Sequence, residues 1–433
     1  MSDQPRIPAR YQSDYLFLLV GTNPLPNYVA AELLLKQDGQ LILVHSALTE
    51  RVAERLTRYW TETKKRIQLN RICVAEADGA DIRRQIDHAL EKIKNGAIGL
   101  HYTGGTKIMS VHAYRTMLDF QARERKTVTL SYLDARSNSM YIEQGDDQPF
   151  VSDSVLYDVQ PSIQTIVGLH VFKLVSPIIT EPKLPELLTT LAEVHHSAEA
   201  GQAWRKWCEE TLRQSTRTKK DSDWDKESLL ERVMLPLPAD KILRPVTDKM
   251  REVFGLNEDH LPLKEASQRA NMDKAKHLCE WLDGKWLEHY VYQIIQQIKK
   301  DKPDTRLGVS AHPQSEQNGS GNIGAESDIW LGMGIHPKSE QNGPEYDYDI
   351  DIGVIQGYRL YAISCTTDAD SGMCKLKLFE AYLRARNMAG DEAHVGLVCM
   401  TDRPEKLEHQ IGGSWDAKGK VRVFGRQHLQ SLS

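Results

Sequence analysis

Long apolar runs are missing from this 433-residue chain. No stretch approaches the ~18 consecutive apolar residues that a membrane-spanning helix needs, so no membrane partner is expected. The opening residues, MSDQPRIPARYQSDY, hold no apolar block, and no secretory leader is expected there. The six cysteines (73, 208, 279, 365, 374 and 399) include no CxxC pair. That removes a zinc-ribbon spacing and a disulfide framework, and makes a reducing cytoplasm the expected location. Excess positive charge is missing too: 55 Lys and Arg against 60 Asp and Glu give a formal net charge of −5. A protein that coats nucleic acid would be far more basic, so any contact with DNA or RNA must be local or assisted by metal. What is present is 40% hydrophobic and 27% charged residues, enough for a sizeable core and, at this length, for two or three domains.

Residues 15–145 alternate short apolar strands with helical stretches. Strands are expected at 15–20, 41–45, 71–75, 97–101 and 127–133, with SMYIEQ (139–144) as a final edge strand. Helices are expected near 27–37, 50–66, 80–94 and 106–123. Strands and helices in this alternation predict a parallel, Rossmann-like sheet covered on both faces. Ligands of such sheets bind beyond the carboxyl ends of the strands. Two loops lie there, GTNPLPNY (21–28) and HYTGGTKIMS (101–110). Thr103-Gly104-Gly105-Thr106-Lys107 falls where a strand turns into a helix, a place that suits a phosphate. It lacks the GxxxxGK[ST] spacing of a P-loop, and GTNPLP does not match GxGxxG, which disfavours a nicotinamide oxidoreductase.

VGTNPLPNY and HYTGGTKIMSVHAY resemble CARF domains, the CRISPR-associated Rossmann-fold sensors of cyclic oligoadenylates. The TGGTK-I-M run is most similar to the subgroup fused to a restriction-type nuclease. The resemblance implies a homodimer whose two-fold axis passes through a shared ligand site, with cyclic tetra-adenylate as the messenger. On that basis Thr22, Asn23, Pro24, Leu25 and Pro26 with Thr103, Gly104, Gly105, Thr106 and Lys107 line the pocket, with His45 and Ser46 beside them. Asp134, in YLDARS, could lie nearby.

Between 150 and 270 the pattern is helical and irregular, with 186–213 read as helix and 215–228 as a charged loop. His195 and His196 point about 100° apart on a helix, so they are read as solvated surface rather than a metal pair. Trp204, Trp207 and Trp224 are read as packing residues. The expected organisation is a sensor (1–150), a helical connector (151–270) and a second α/β domain (271–433).

GKWLEHYVYQIIQQIKK (284–300) buries one face through Leu287, Val291, Ile294 and Ile298, with Glu288 at its border. EYDYDIDIGVIQGYRLYAISCTTD (345–368) reads as a hairpin turning at Gln356-Gly357. Asp347, Asp349 and Asp351 alternate along its first strand and share one face, a pattern that favours a divalent cation. This third resembles the PD-(D/E)xK nucleases, whose Mg²⁺ or Mn²⁺ sits on a helix glutamate and strand carboxylates. By that resemblance Glu288 and Asp351 are metal ligands, and the third motif falls on Ser364-Cys365-Thr366-Thr367. Ser364 replaces the glutamate and Thr366 the lysine, leaving the Cys365 carbonyl as a further ligand. Either Asp349, Glu345 or Asp347 supplies the missing carboxylate and Lys375 or Lys377 the missing ammonium, or the nuclease is weak or inactive. Arg384 and Arg386 are further phosphate contacts or solvated residues. The resemblance as a whole implies a messenger-activated nuclease acting on DNA, RNA or both. Its rivals are a sensor with an inactive nuclease-like domain and a ring nuclease that degrades the messenger. HPQSEQNG (312–319) recurs as HPKSEQNG (336–343), read as a duplicated turn around an IWLGMGI strand; His312 and His336 as ligands or a base are the minority alternative.

Overall fold

The computed structural model describes residues 7–63, 67–145, 147–170, 172–174, 181–218, 223–301, 329–337, 348–414, 417 and 419–431. Two sheets organise them. The first comprises β1 (Ser13–Leu19), β2 (Leu35–His45), β3 (Gln68–Cys73), β4 (Ile98–His101), β5 (Val128–Asp134), β6 (Ser139–Gln144) and β7 (Phe150–Ser154). Their order is β3-β2-β1-β4-β5-β6-β7. β1 to β5 are mutually parallel and β6 and β7 antiparallel. Helices α1 (Leu25–Leu34), α2 (Glu50–Thr63), α3 (Gly79–Leu90) and α4 (Lys107–Glu124) connect the parallel strands. One core lies on each face, as the alternation predicts. Two local expectations change. β6 is not the edge, because β7 pairs outside it. α1 ends at Leu34 instead of 37, because Leu35 already pairs with Ser13 and Asp38 takes a left-handed turn (φ 63°) within the long β2.

The second sheet contains β8 (Phe172–Leu174); a separate ribbon follows, formed by β9 (Met234–Pro236) and β10 (His260–Pro262). The sheet continues with β11 (Ile329–Pro337), β12 (Tyr348–Gln356), β13 (Arg359–Cys365), β14 (His394–Val398) and β15 (Val421–Phe424), in the order β15-β14-β13-β12-β11-β8. β13, β14 and β15 are parallel and the rest antiparallel. Its outermost strand, β8, thus comes from the stretch before the connector helices. One face packs on the connector helices and the Trp286–Asp301 helix, through Trp281, Trp286, Leu287 and Val291. The other packs on the Ser371–Ala389, Pro404–Ser414 and Ile163–Leu169 helices. The architecture is therefore α/β, a Rossmann-like N-terminal domain followed by helices and a second α/β domain. No helix among the described residues is long and apolar enough to cross a membrane.

In the connector, the 186–213 helix is broken into Pro185–His195, Ala198–Trp207 and a short wider turn, Cys208–Leu212. His195 is not solvated surface. It is 3% exposed, continues the Leu187–Leu191 face, and its ring lies 4.6 Å from that of Trp286. Burial pushes its pKa down to about 4. Trp204 and Trp207 are core residues, and Trp224 packs under the Arg217 guanidinium.

The β12–β13 turn ties the two sheets together. Tyr358 is fully buried, and it is buried in the core of the first domain, with Leu133, Met140, Leu156 and Val159. Its hydroxyl donates to Asn138 Oδ1 (3.2 Å), which also accepts from Arg359 (2.7 Å). Gly357 precedes it with φ 62°, and a Cβ there would overlap the Leu156 carbonyl. Replacing Tyr358 by alanine leaves a ring-sized cavity at the domain junction. It should cost about 3–5 kcal/mol in a urea unfolding experiment, whereas Tyr358→Phe, losing only the hydroxyl bond, should cost about 1 kcal/mol. Equal effects of the two changes would refute the packing role.

Candidate functional site

Two sites emerge, one in each domain. In the first, β1 and β4 deliver the loops 20–24 and 102–106 side by side. The loops touch through backbone: a Cβ on Gly104 would overlap the Leu19 carbonyl, and one on Gly21 would sit 3.1 Å from Gly105 N. Gly105 takes φ 76°. The glycines are there because two main chains occupy the space of side chains. Thr106 caps α4, its Oγ1 accepting from Met109 N (3.2 Å). Thr103 Oγ1 accepts from Leu133 N (2.7 Å), linking this loop to the end of β5.

Thr22, Thr106 and Lys107 are exposed on this surface and Gly21, Thr103, Gly104 and Gly105 are half-buried, so these seven positions can meet a ligand. Pro24, Leu25 and Pro26 are buried and hold the loop against the core. His45 and Ser46 are buried as well, and Ser46 forms a capping box with Thr49 at the start of the helical turn before α2. Asn23 faces the second domain, where it meets Glu392 and His170. Asp134 is engaged in its own turn, accepting from Arg136 N, Ser137 N and Ser137 Oγ, bonds that hold its carboxyl below the usual range.

In the second site the β12–β13 register sets Asp351 beside the end of β13. Asp351 Oδ2 accepts from Ser364 Oγ (2.9 Å) and from Cys365 N (2.6 Å). Ser364, standing where a carboxylate was expected, is thus a donor to Asp351. Burial pushes the Asp351 carboxyl above its ordinary range, against those two bonds and the positive charges of Lys377 and Arg384. The Cys365 thiol is pushed far up, by burial first and then by the charges of Asp351 and Glu288. Both carboxylates therefore act on the same sulfur, one from β12 and one from the Trp286–Asp301 helix. Gly284, where the chain leaves helical geometry, lies against Thr367, which brings the start of that helix over the end of β13. Thr366 turns back, its Oγ1 accepting from Asp368 N (3.2 Å). Lys377 is exposed and Lys375 half-buried on the Ser371–Ala389 helix; Arg384 pairs with Glu380, and Arg386 with Asp391 away from Asp351.

Glu345, Asp347 and both repeats, apart from His336 and Pro337 on β11, lie outside the described residues, as does the Asp349 side chain. Among the described residues no three His, Cys, Asp or Glu side chains converge as a metal site. Among the described residues Asp351 and Glu288 are the two acids whose charges reach Cys365, and Mg²⁺ is commonly held by one or two carboxylates with water completing its shell. The donor set therefore fits a hard divalent cation sparsely. The pattern-based reading missed Asn138, Arg359 and Glu392, which link the two sites; Gly390, at a helix end, was the one sequence signal near them.

The fold and these loops define a Rossmann-like domain with two adjoining loops at the carboxyl ends of its strands, followed by a second α/β domain. Residues 16–148 match the family model for the Card1 CARF domain, and that stretch spans most of the first domain. Among solved structures, protein VC1899 from Vibrio cholerae aligns over 97% of this chain and 96% of its own, with a TM-score of 0.62 and 13% identity. Can2 from Sulfobacillus thermosulfidooxidans, solved in complex with cyclic tetra-adenylate, aligns over 96% and 97%, with a TM-score of 0.61 and 15% identity. At such identity the likeness is one of fold, and it extends over both domains. No curated protein matches by sequence.

Cysteine accessibility checks the second site directly. Cys73 is exposed while Cys208, Cys279, Cys365, Cys374 and Cys399 are buried. Burial pushes Cys279 up to about 12 and Cys365 higher than its ordinary value. A thiol reagent at about pH 8 should modify Cys73 alone in the native protein and all six cysteines after unfolding. Rapid native labelling of Cys365, located by peptide mass, would contradict the buried Asp351–Cys365 arrangement.

Proposed function

We propose that this protein is a type III CRISPR effector in the cytoplasm, a homodimer whose CARF domains bind a cyclic oligoadenylate and thereby activate metal-dependent cleavage of DNA, RNA or both. The observation that carries the sensor half is the CARF match on residues 16–148, within which the 20–24 and 102–106 loops meet at one exposed surface. Thr22, Thr103, Gly104, Gly105, Thr106 and Lys107 are the ligand residues in this reading. Cyclic tetra-adenylate is the messenger suggested by the Can2 complex of similar fold. The nuclease half rests on Asp351, held at the end of β13 by Ser364 and Cys365, and on Glu288 of the Trp286–Asp301 helix, whose start lies over the same strand end. Mg²⁺ or Mn²⁺ held by these carboxylates would neutralise charge on a scissile phosphate and lower the pKa of a bound water. Lys377 and Arg384, on the helix facing Asp351, attract the phosphate backbone, and Lys375 flanks them.

A dimer is supported by an uncovered apolar surface. Tyr132, Tyr141 and Val151 form a cross-strand row on β5, β6 and β7, each more than a third exposed. Ile108, Val111 and Leu118 extend it along α4, and the Tyr102 ring bridges Tyr114 of α4 to Tyr132. A two-fold copy covers such a patch with itself and places two sets of sensor loops around one symmetric ring. Val111→Asp should convert the dimer to a monomer by light scattering, with loss of nucleotide binding. A wild-type monomer, or a variant of unchanged mass, would refute this interface.

The decisive assay incubates the full chain with labelled plasmid, single-stranded DNA and RNA, with Mg²⁺ or Mn²⁺, with and without cyclic tetra-adenylate. Stimulated cleavage that disappears in Asp351→Ala is the expected result. Because burial raises the Asp351 carboxyl, a metal must displace its proton at low pH, so the metal concentration needed for half-maximal cleavage should fall as pH rises from about 5 to 8. The bond from Ser364 to Asp351 favours a second reading, a messenger sensor whose nuclease-like domain binds nucleic acid or a partner without cutting. Nucleotide binding without cleavage of any substrate would select that reading.

A further inference from the structure

Asn23 leaves the sensor loop and reaches the second domain. Its Nδ2 donates to Glu392 Oε2 at 2.6 Å, and its Oδ1 accepts from Leu25 N at 3.1 Å. The Leu25 bond fixes the amide's orientation, since only the oxygen can accept, and leaves the nitrogen aimed at Glu392. Glu392 is 4% exposed, so this is a buried carboxyl meeting a donor from another domain. The amide lies flat against Gly390, where a Cβ would fall inside it. Gly390 takes φ 72° and closes the Ser371–Ala389 helix, its N–H bonding to Arg386 O. That helix carries Lys377 and Arg384, the two cations whose charge reaches Asp351. At its other end the Asn23 loop is in backbone contact with Gly104 and Gly105.

We infer that Asn23 is a positioning residue that couples the sensor loops to the cations beside Asp351, through Gly390, Glu392 and the Ser371–Ala389 helix. The inference rests on the sensor–nuclease reading above and adds the connection within it. A ligand that shifts the glycine loop against Leu19 and Gly21 shifts Asn23 with it. Asn23 then either drags the Gly390–Glu392 turn or leaves Glu392 without its donor. Both outcomes change where the end of the helix sits. A coupling of this kind requires that the ligand favour one arrangement of the turn over the other.

Hydrogen exchange on the full-length protein without nucleotide tests the contact alone. Asn23→Ala and Gly390→Ala should each speed amide exchange about tenfold over the last helical turn and residues 390–394. Glu392→Gln, which keeps an acceptor for Asn23, should exchange like wild type. Unchanged protection in Asn23→Ala would overturn the proposal. With cyclic tetra-adenylate added, Gly390→Ala should bind the nucleotide as wild type does by calorimetry while the stimulated-to-unstimulated cleavage ratio falls about tenfold, and Glu392→Gln should preserve the ratio. A preserved ratio in Gly390→Ala, despite faster exchange, would also overturn it. Should wild type neither bind nor cut, the sensor–nuclease reading fails and the exchange data alone decide the contact.

Discussion

The burial of Tyr358 in a core to which its own strands do not belong is the constraint on which the arrangement depends. A tyrosine withdrawn from water among Leu133, Met140 and Leu156 gains the apolar transfer energy of a large ring. Its hydroxyl and the Arg359 guanidinium are both satisfied by Asn138. The turn is thereby pinned to the first domain, and the hairpin that leaves it cannot slide without exposing the ring. Seven residues before Tyr358 on the same hairpin lies Asp351, and six after it lies Ser364, which donates to that carboxylate. The position of the acid is therefore set by packing in the other domain as well as by the sheet around it.

Much of the fold was legible because its periodicities are strong. Apolar strands alternating with helices gave the parallel sheet, and the TGGTK run gave a strand-to-helix turn whose glycines now lie against Leu19 and Gly21. The hairpin pattern likewise located Asp351 and the 364–367 run. The long-range contacts were not legible. The CARF resemblance of its loop marks Asn23 as a ligand residue, and nothing in the sequence points to its partner Glu392, 369 positions away. His195 misled for another reason. It continues the Leu187–Leu191 spacing of a buried face, but its polarity and its neighbour His196 suggested solvent. Periodicity was the better guide there, since a neutral imidazole can enter a core when one nitrogen bonds a carbonyl, as His195 Nδ1 does with Leu191 O at 2.7 Å.

The surroundings of Asp351 show how one hydroxyl can settle a half-buried acid. A carboxylate at position 364 would repel Asp351 unless a cation lay between them. A hydroxyl there donates to Asp351 instead, which supplies the carboxylate with a neutral partner. With the Cys365 N–H, this donor opposes the burial that raises the pKa of the half-buried Asp351 carboxyl. Any metal must compete with the proton and with the Ser364 and Cys365 donors for the same group.

The junction between the domains is not uniformly satisfied. His170 places Nδ1 2.9 Å from Ile166 O and Nε2 3.2 Å from Asn23 Oδ1. Both oxygens are acceptors, and a neutral imidazole has one N–H to offer them. Burial, with the Arg55 charge nearby, pushes the His170 pKa down to about 4, so the ring is neutral near pH 7 and one of the two contacts lacks its proton. The Asn23 amide thus meets a strong partner in Glu392 and a mismatched one in His170. A contact balanced in this way can be rearranged at smaller cost than one whose every atom is paired, and it lies where the loop after β1 meets the helix that faces Asp351.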